Sequence, residues 1–386
     1  MLKNIAIIFV ISIFTATACM NSQVDTNAAN NSPAGQSTDG GSGSGESGGK
    51  SGQNDAKNEN AKTFRGMING IGFEMNLVRD GDKLSGSYFY TKIGKPLKLS
   101  GKIAKDGKFT LEETDDSGKK TGVWNGTWKE EENAAGIALE GSWKKPSDSD
   151  GDSLSFYATE QVVNFAGNVK FTDKTIKENQ ASKRSEIFAT YPEISGVDSA
   201  EKFNSVIKNR VTELIGAYKK QLADYSEEDV KSLPAETGLE QQIGYDVVMA
   251  NNDFVSLLFS DYAYMGGAHG MTTYSPVNYD LKNNRELQLA DIFEPNSGYL
   301  KTISEYSIAD LKKRVGEMSD DEWITKGAGA EKENFSNWNL TKKGLLITFE
   351  PYQVAAYAAG PQTVIIPYDK LKNSLKKDGI VSQIAK

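Results

Sequence analysis

Few residues in this 386-residue chain can do acid–base, nucleophilic or metal chemistry: it holds one His and one Cys. The histidine stands in Gly266-Gly267-Ala268-His269-Gly270, a glycine frame that permits a tight backbone with positive φ. Read as chemistry, His269 is a general base oriented by Asp261 or Asp280. Read as structure, it is an imidazole that locks the turn through a backbone hydrogen bond, beside Tyr262 and Tyr264, with Gly266, Gly267 and Gly270 as the turn residues. No Ser or Cys nucleophile motif accompanies it, so the structural reading is preferred and no catalytic residue is assigned. One His excludes every multi-histidine metal site and one Cys excludes an internal disulfide or a Cys-rich zinc site, so neither metal nor cofactor is expected. Gly45-Glu46-Ser47-Gly48-Gly49 fits the G-x-S-x-G pattern. A nucleophile elbow needs a strand before it and a helix after it, and here low-complexity sequence surrounds it.

The cysteine has a different use. Lys3 precedes an apolar run, Ile5–Phe14, too short to span a bilayer comfortably, and Thr15-Ala16-Thr17-Ala18 leads to Cys19. Small residues before a cysteine resemble a bacterial lipoprotein signal, although Ala16 stands where Leu is usual. The expectation is a signal peptide over 1–18, lipidation at Cys19 and export to the cell envelope, with the lipid on Cys19 holding the chain to the membrane. In a cell with two membranes, Met20 in place of Asp points to the outer one. Residues 19–62, rich in Ser, Gly and Asn and without aromatics, read as a disordered tether spanning roughly 35–40 Å. A net charge of −8 argues against a nucleic-acid partner.

Two folded regions must carry whatever the chain does. Over 63–160, short alternating runs recur: 64–68, 72–78, 84–90, 97–103, 109–113, 122–128, 137–143 and 154–159. Turn signals such as Asp80-Gly81 and Asp106-Gly107 separate them. They predict an all-β meander closing into a small barrel or sandwich. Within it, Gly recurs two residues before an aromatic, as in Gly86-Ser87-Tyr88, Gly126-Thr127-Trp128 and Gly141-Ser142-Trp143. Glycine then relieves crowding while the aromatic fills the interior on the same face. Over 161–386 the pattern turns mixed. Phe203, Val206, Ile207, Val211, Leu214, Ile215, Tyr218 and Leu222 follow a helical period after the N-cap candidates Asp198 and Ser199. Strands are expected at 239–250, 254–264, 272–280, 338–340, 345–349 and 363–366, with a second helix over 300–315 and a short one opened by Pro367. The expected class is an α+β domain with a mainly antiparallel sheet and helices on one face. The stretches 319–322 and 327–334 read as solvated loop.

An ordered set of motifs runs through this second region: Tyr262–Gly270, Asn278-Tyr279-Asp280, Leu287–Phe293, Leu340–Tyr352, Tyr357–Gly360 and Val364–Tyr368. In that order and spacing it resembles domain-of-unknown-function family 3298. Ile187–Gly196, with Tyr191-Pro192, and the helix containing Asn204 resemble family 4163, its usual companion. The pair characterises the RsiV-like extracytoplasmic domain and the N-terminal region of PdaC-type peptidoglycan deacetylases. The resemblance covers roughly residues 165–380 and leaves the meander outside it. It implies extracytoplasmic recognition of lysozyme, of a similar cell-wall hydrolase, or of peptidoglycan. No separate deacetylase domain and no cytoplasmic signalling segment is expected here. The candidate binding residues are Tyr262, Tyr264, His269, Tyr352 and Tyr357. The expected function is therefore a non-catalytic binding module of the envelope. The competing readings are a wall hydrolase using paired Asp or Glu carboxylates, and a purely structural envelope protein.

Overall fold

The computed structural model describes residues 61–146, 153–233 and 238–384. The signal peptide, Cys19 and nearly all of the tether lie outside the described residues. Eight antiparallel strands come first: β1 (Ala61–Ile68), β2 (Ile71–Asp80), β3 (Lys83–Tyr90), β4 (Leu97–Ile103), β5 (Lys108–Thr114), β6 (Lys120–Glu130), β7 (Ile137–Lys144) and β8 (Leu154–Glu160). Each pairs with the next, and β1 returns to β8 with Phe64 opposite Glu160, so the sheet is a closed barrel. The choice that sequence left between barrel and sandwich falls to the barrel, and closure removes every strand edge. The Gly-aromatic pattern has its expected cause. A Cβ on Gly86 would lie 1.8 Å from the Asn76 carbonyl oxygen, so only glycine lets β2 and β3 approach this closely. Trp124 is fully buried and meets Phe73, Tyr88 and Phe156 edge-on at 5.3, 5.0 and 4.8 Å.

One charged group lies within this aromatic core. Glu113 is 2% exposed. One of its oxygens accepts from the Tyr88 hydroxyl at 2.8 Å and from the indole nitrogens of Trp124 and Trp143 at 3.1 and 2.8 Å. The other accepts from the Thr121 hydroxyl at 2.7 Å. The strand alternation of Phe109, Leu111 and Glu113 places the carboxylate on the inward face, where it meets these four donors.

After the barrel, the two-residue β9 (Val163–Asn164) enters a seven-stranded sheet. Its main path is β10 (Lys170–Gln180), β11 (Ser185–Ser195), β12 (Leu239–Asn251), β13 (Phe254–Tyr264), β14 (Met271–Asp280) and β15 (Arg285–Glu286). All neighbours on this path are antiparallel except β11 and β12, and β9 also joins β12 in parallel. The helix α1 (Ala200–Ala223) covers one face with Phe203, Ile207, Val211, Ile215, Tyr218 and Leu222. A capping box between Ser226 and Asp229 starts the short α2 (Glu227–Ser232).

The remaining elements build a second layer. α3 (Tyr299–Arg314) and α4 (Asp321–Gly327) pack with a three-stranded sheet of β16 (Trp338–Leu340), β17 (Gly344–Phe349) and β18 (Gln362–Pro367). The chain ends in α5 (Tyr368–Leu371) and α6 (Ile380–Ile384). α4 begins inside 319–322 and ends at Gly327, both in stretches that read as solvated loop: Asp320 caps it by accepting from the Trp323 amide at 2.7 Å, and Ile324 turns into the core. Hydrophilic flanks hid a helix whose apolar side is a single residue wide.

Barrel and mixed sheets are joined directly. Val162 bonds Val247 and Ala250 on β12. Arg65 of β1 reaches the Asp173 carboxylate at 2.8 Å and lies 4.1 Å above the Tyr245 ring. The β6–β7 loop lies along β18, where Asn133 accepts from the Ile365 amide at 2.9 Å and from the Thr363 hydroxyl at 3.0 Å.

Candidate functional site

The glycine-framed turn joins β13 to β14. Gly266 and Gly267 take φ of +88° and +89°, which a side chain would strain. The turn is tied at several points. The Tyr225 hydroxyl donates to the Met265 carbonyl, and the Tyr264 hydroxyl donates to the Gly267 carbonyl at 3.0 Å. The Tyr262 ring packs on Gly270, where a Cβ would come within 2.4 Å of ring carbons. Tyr262 and Tyr264 therefore hold the turn from below.

His269 Nδ1 donates to the Gly270 carbonyl at 3.0 Å. Its ring stacks on Tyr357 with centroids 4.0 Å apart and planes inclined by 19°. The Tyr357 hydroxyl donates to the same Gly270 carbonyl at 2.8 Å. Tyr357 in turn meets Tyr352 at 5.5 Å. Tyr352 is 48% exposed and sits at φ +70°, a conformation held in part by the Trp323 indole, which donates to the Tyr352 carbonyl at 3.0 Å. Two sequence-distant segments thus bring His269, Tyr357 and Tyr352 into one continuous aromatic shelf.

Neither carboxylate proposed to orient His269 is bonded to it. Asp261 lies on the α1 side of β13 and accepts from Gln241 Nε2 at 2.9 and 3.2 Å. Burial there pushes its carboxyl up to about 6. Asp280 is occupied by the Asn283 backbone amide at 2.8 Å and its side-chain amide at 2.7 Å. The imidazole is oriented by a carbonyl and a tyrosine ring, an arrangement that fixes a surface and supplies no carboxylate partner. Burial likewise raises the Tyr262 and Tyr357 hydroxyls, and that of Tyr357 stays protonated as the donor to Gly270.

Sequence reasoning missed two further carboxylates on the face opposite α1. Asp246 accepts from Gln161 Nε2 at 2.8 Å, and burial raises its carboxyl above the ordinary range. Glu350 accepts from the Tyr274 amide at 3.0 Å and from Asn337 Nδ2 at 3.2 Å. For Asp246 the strand alternation of β12 was the available signal. For Glu350 there was none, because one of its donors, the Tyr274 amide, comes from the other sheet. Among the described residues, no group of three His, Cys, Asp or Glu side chains is placed to hold a metal ion.

Residues 177–272 match the family described as Deacetylase PdaC, and residues 290–369 match the Protein of unknown function (DUF3298). The peptidoglycan-N-acetylmuramic acid deacetylase PdaC of Bacillus subtilis is 31% identical over 180 residues, which is 47% of this chain and 38% of that protein. The immunogenic protein MPT64 of Mycobacterium tuberculosis is 25% identical over 114 residues, 30% of this chain and 49% of that one. The chain thus spans less than half the length of either relative. A solved DUF3298 family member from Bacteroides fragilis covers 57% of this chain and 98% of its own, at 22% identity and a TM-score of 0.43. The family matches fall on the two segments that build the shelf, the β13–β14 turn and the stretch through Tyr352 and Tyr357, and the C-terminal region of this chain resembles the PdaC and DUF3298 domains.

Proposed function

We propose that this chain is an exported, lipid-anchored envelope protein whose C-terminal domain binds peptidoglycan without cleaving it. The aromatic shelf carries the reading. His269 and Tyr357 are held by backbone hydrogen bonds and stacked face to face, and they back Tyr352, the exposed ring on which a ligand would land, so little side-chain freedom is lost on binding. Flat rings with polar tips suit a ligand that is apolar on one face and hydroxylated at its edges, as a sugar ring is. The likeness to PdaC supports the choice of polymer. Cys19 would supply the anchor and residues 19–62 the reach toward the wall.

Co-sedimentation with purified insoluble peptidoglycan tests this. The wild-type chain should pellet with the polymer, and Tyr352→Ala should reduce the apparent affinity roughly tenfold, the cost of one good stacking contact. Unchanged binding by Tyr352→Ala and Tyr357→Ala together refutes the shelf. A second reading, capture of a lysozyme-like hydrolase, draws on the net charge of −8, which would attract a basic enzyme at long range. Its mark would be a complex with lysozyme that weakens steeply with salt.

A further inference from the structure

On the sheet face opposite α1, strand register arranges the side chains in two adjacent rows. One runs Lys177, Phe188, Gln242, Tyr262 and Thr272 across β10 to β14. The next runs Asn179, Glu186, Glu240 and Tyr264. Both rows end beside the aromatic shelf, since Tyr262 packs on Gly270 and Tyr264 holds Gly267. At their other end lies a cleft of about 300 Å³ between β10–β12 and Lys92, which follows β3 of the barrel. From Phe188 to Thr272 is three strand spacings, about 14 Å. Shelf and cleft therefore belong to one strip.

The charges in the cleft have an order. Glu186 and Glu240 stand directly side by side on neighbouring strands, an arrangement that calls for cations. Lys92 lies 3.9 Å from Glu240. Lys177 lies 5.2 Å from the Phe188 ring centre. The Lys177 row and the Glu186 row are two residues apart along the strands, about 7 Å. A ligand carboxylate at Lys177 and a ligand ammonium at Glu186 would thus be separated by about the length of two extended residues. Phe188, opposite Lys177 in the same row, and the stem of Lys177 give an apolar floor at the carboxylate end.

We propose that this cleft binds a short peptide carrying both an ammonium and a carboxylate, attached to the glycan that lies on the shelf. This rests on the peptidoglycan reading above and adds the part of the polymer that the cleft recognises. The test is calorimetric titration of the full chain with two probes: a muropeptide that keeps its stem peptide, and the same disaccharide with the peptide removed. The peptide-bearing probe should bind roughly tenfold more tightly, in a salt-sensitive way. Lys177→Glu and Glu186→Lys, both at exposed positions, should each abolish that preference and leave the affinity for the bare disaccharide unchanged. Equal affinity for the two probes, or a preference that survives both substitutions, overturns the cleft assignment while leaving the shelf intact. Failure of both probes to bind, with no co-sedimentation on whole peptidoglycan, overturns both.

Discussion

Removal of the Glu113 side chain should unfold the barrel far more readily than neutralising it. In Glu113→Ala, the Tyr88 hydroxyl and the Trp124 indole N–H lose their carboxylate acceptor inside the core, while Trp143 and Thr121 lie nearer the surface where water can replace it. A buried donor left without a partner costs about 1–3 kcal/mol; the Trp124 indole incurs it in full, the Tyr88 hydroxyl keeps only a weak contact to the Tyr90 hydroxyl at 3.4 Å, and the emptied space adds a cavity cost of about 1–3 kcal/mol. We expect a loss of about 4 kcal/mol. Glu113→Gln keeps an oxygen at the position that accepts three of the four bonds, and its amide can donate to the Thr121 hydroxyl. It gives up charge-assisted strength but also avoids burying a charge, so a loss of about 1 kcal/mol is expected. Urea unfolding followed by tryptophan emission reads the change, because Trp124 and Trp143 are themselves ligands of the carboxylate. Equal losses for the two variants, or a loss below ~1 kcal/mol for Glu113→Ala, would show that packing alone holds these aromatics.

His269→Ala should lower the melting temperature through one lost backbone bond and the lost stack on Tyr357, about 1 kcal/mol at this half-buried site; full stability with complete loss of peptidoglycan binding would make His269 a direct contact. Asp261 has a carboxyl raised to about 6, so the folded state holds its proton more tightly than the unfolded chain does. Its contribution should therefore become unfavourable as pH rises from about 4 to about 6, and stay so above that. Asp261→Asn should flatten that part of the stability profile and stabilise the protein at pH 7 by about 1–2 kcal/mol, since the new amide can also serve the unpaired Gln241 Oε1; an unaltered profile from denaturation at a series of pH values would contradict this.

The barrel was legible because its signals are local. Alternation gave eight strands, and Asp106-Gly107 marked a hairpin whose glycine takes φ +85°. The long helix was equally plain, since Phe203 to Leu222 is a single stripe. β10 was not legible: as an edge strand with most of its residues exposed, it carries Lys170, Asp173, Lys174, Lys177 and Glu178 where apolar alternation would mark a strand. Its charged residues line the cleft and the junction with the barrel, so the same feature hid both a strand and a site. The shelf was half legible. The glycine frame of His269 could be read directly, but its partner Tyr357 comes from a segment 88 residues later, and only tertiary packing unites them. Glu113 was readable in hindsight, since its parity with Phe109 and Leu111 turns it inward.

The β6–β7 loop has a consequence for how this protein can be divided. β18 ends its sheet, and on its outer side the Ile365 amide and the Thr363 hydroxyl are met by Asn133, with Lys343 gripping the carbonyls of Glu131 and Ala134 at 2.8 and 3.0 Å. The small apolar patch of Val248, Leu346 and Ile365 is packed against Ala135 of the same loop. A C-terminal fragment cut free of the barrel would bare a ready strand edge flanked by aliphatic side chains, the combination that recruits strands from other molecules. The barrel loop thus caps the edge of its neighbour, and a truncated form that exchanges the rest of the barrel for a shorter support would need to present Asn133 in the same pose to keep that edge covered.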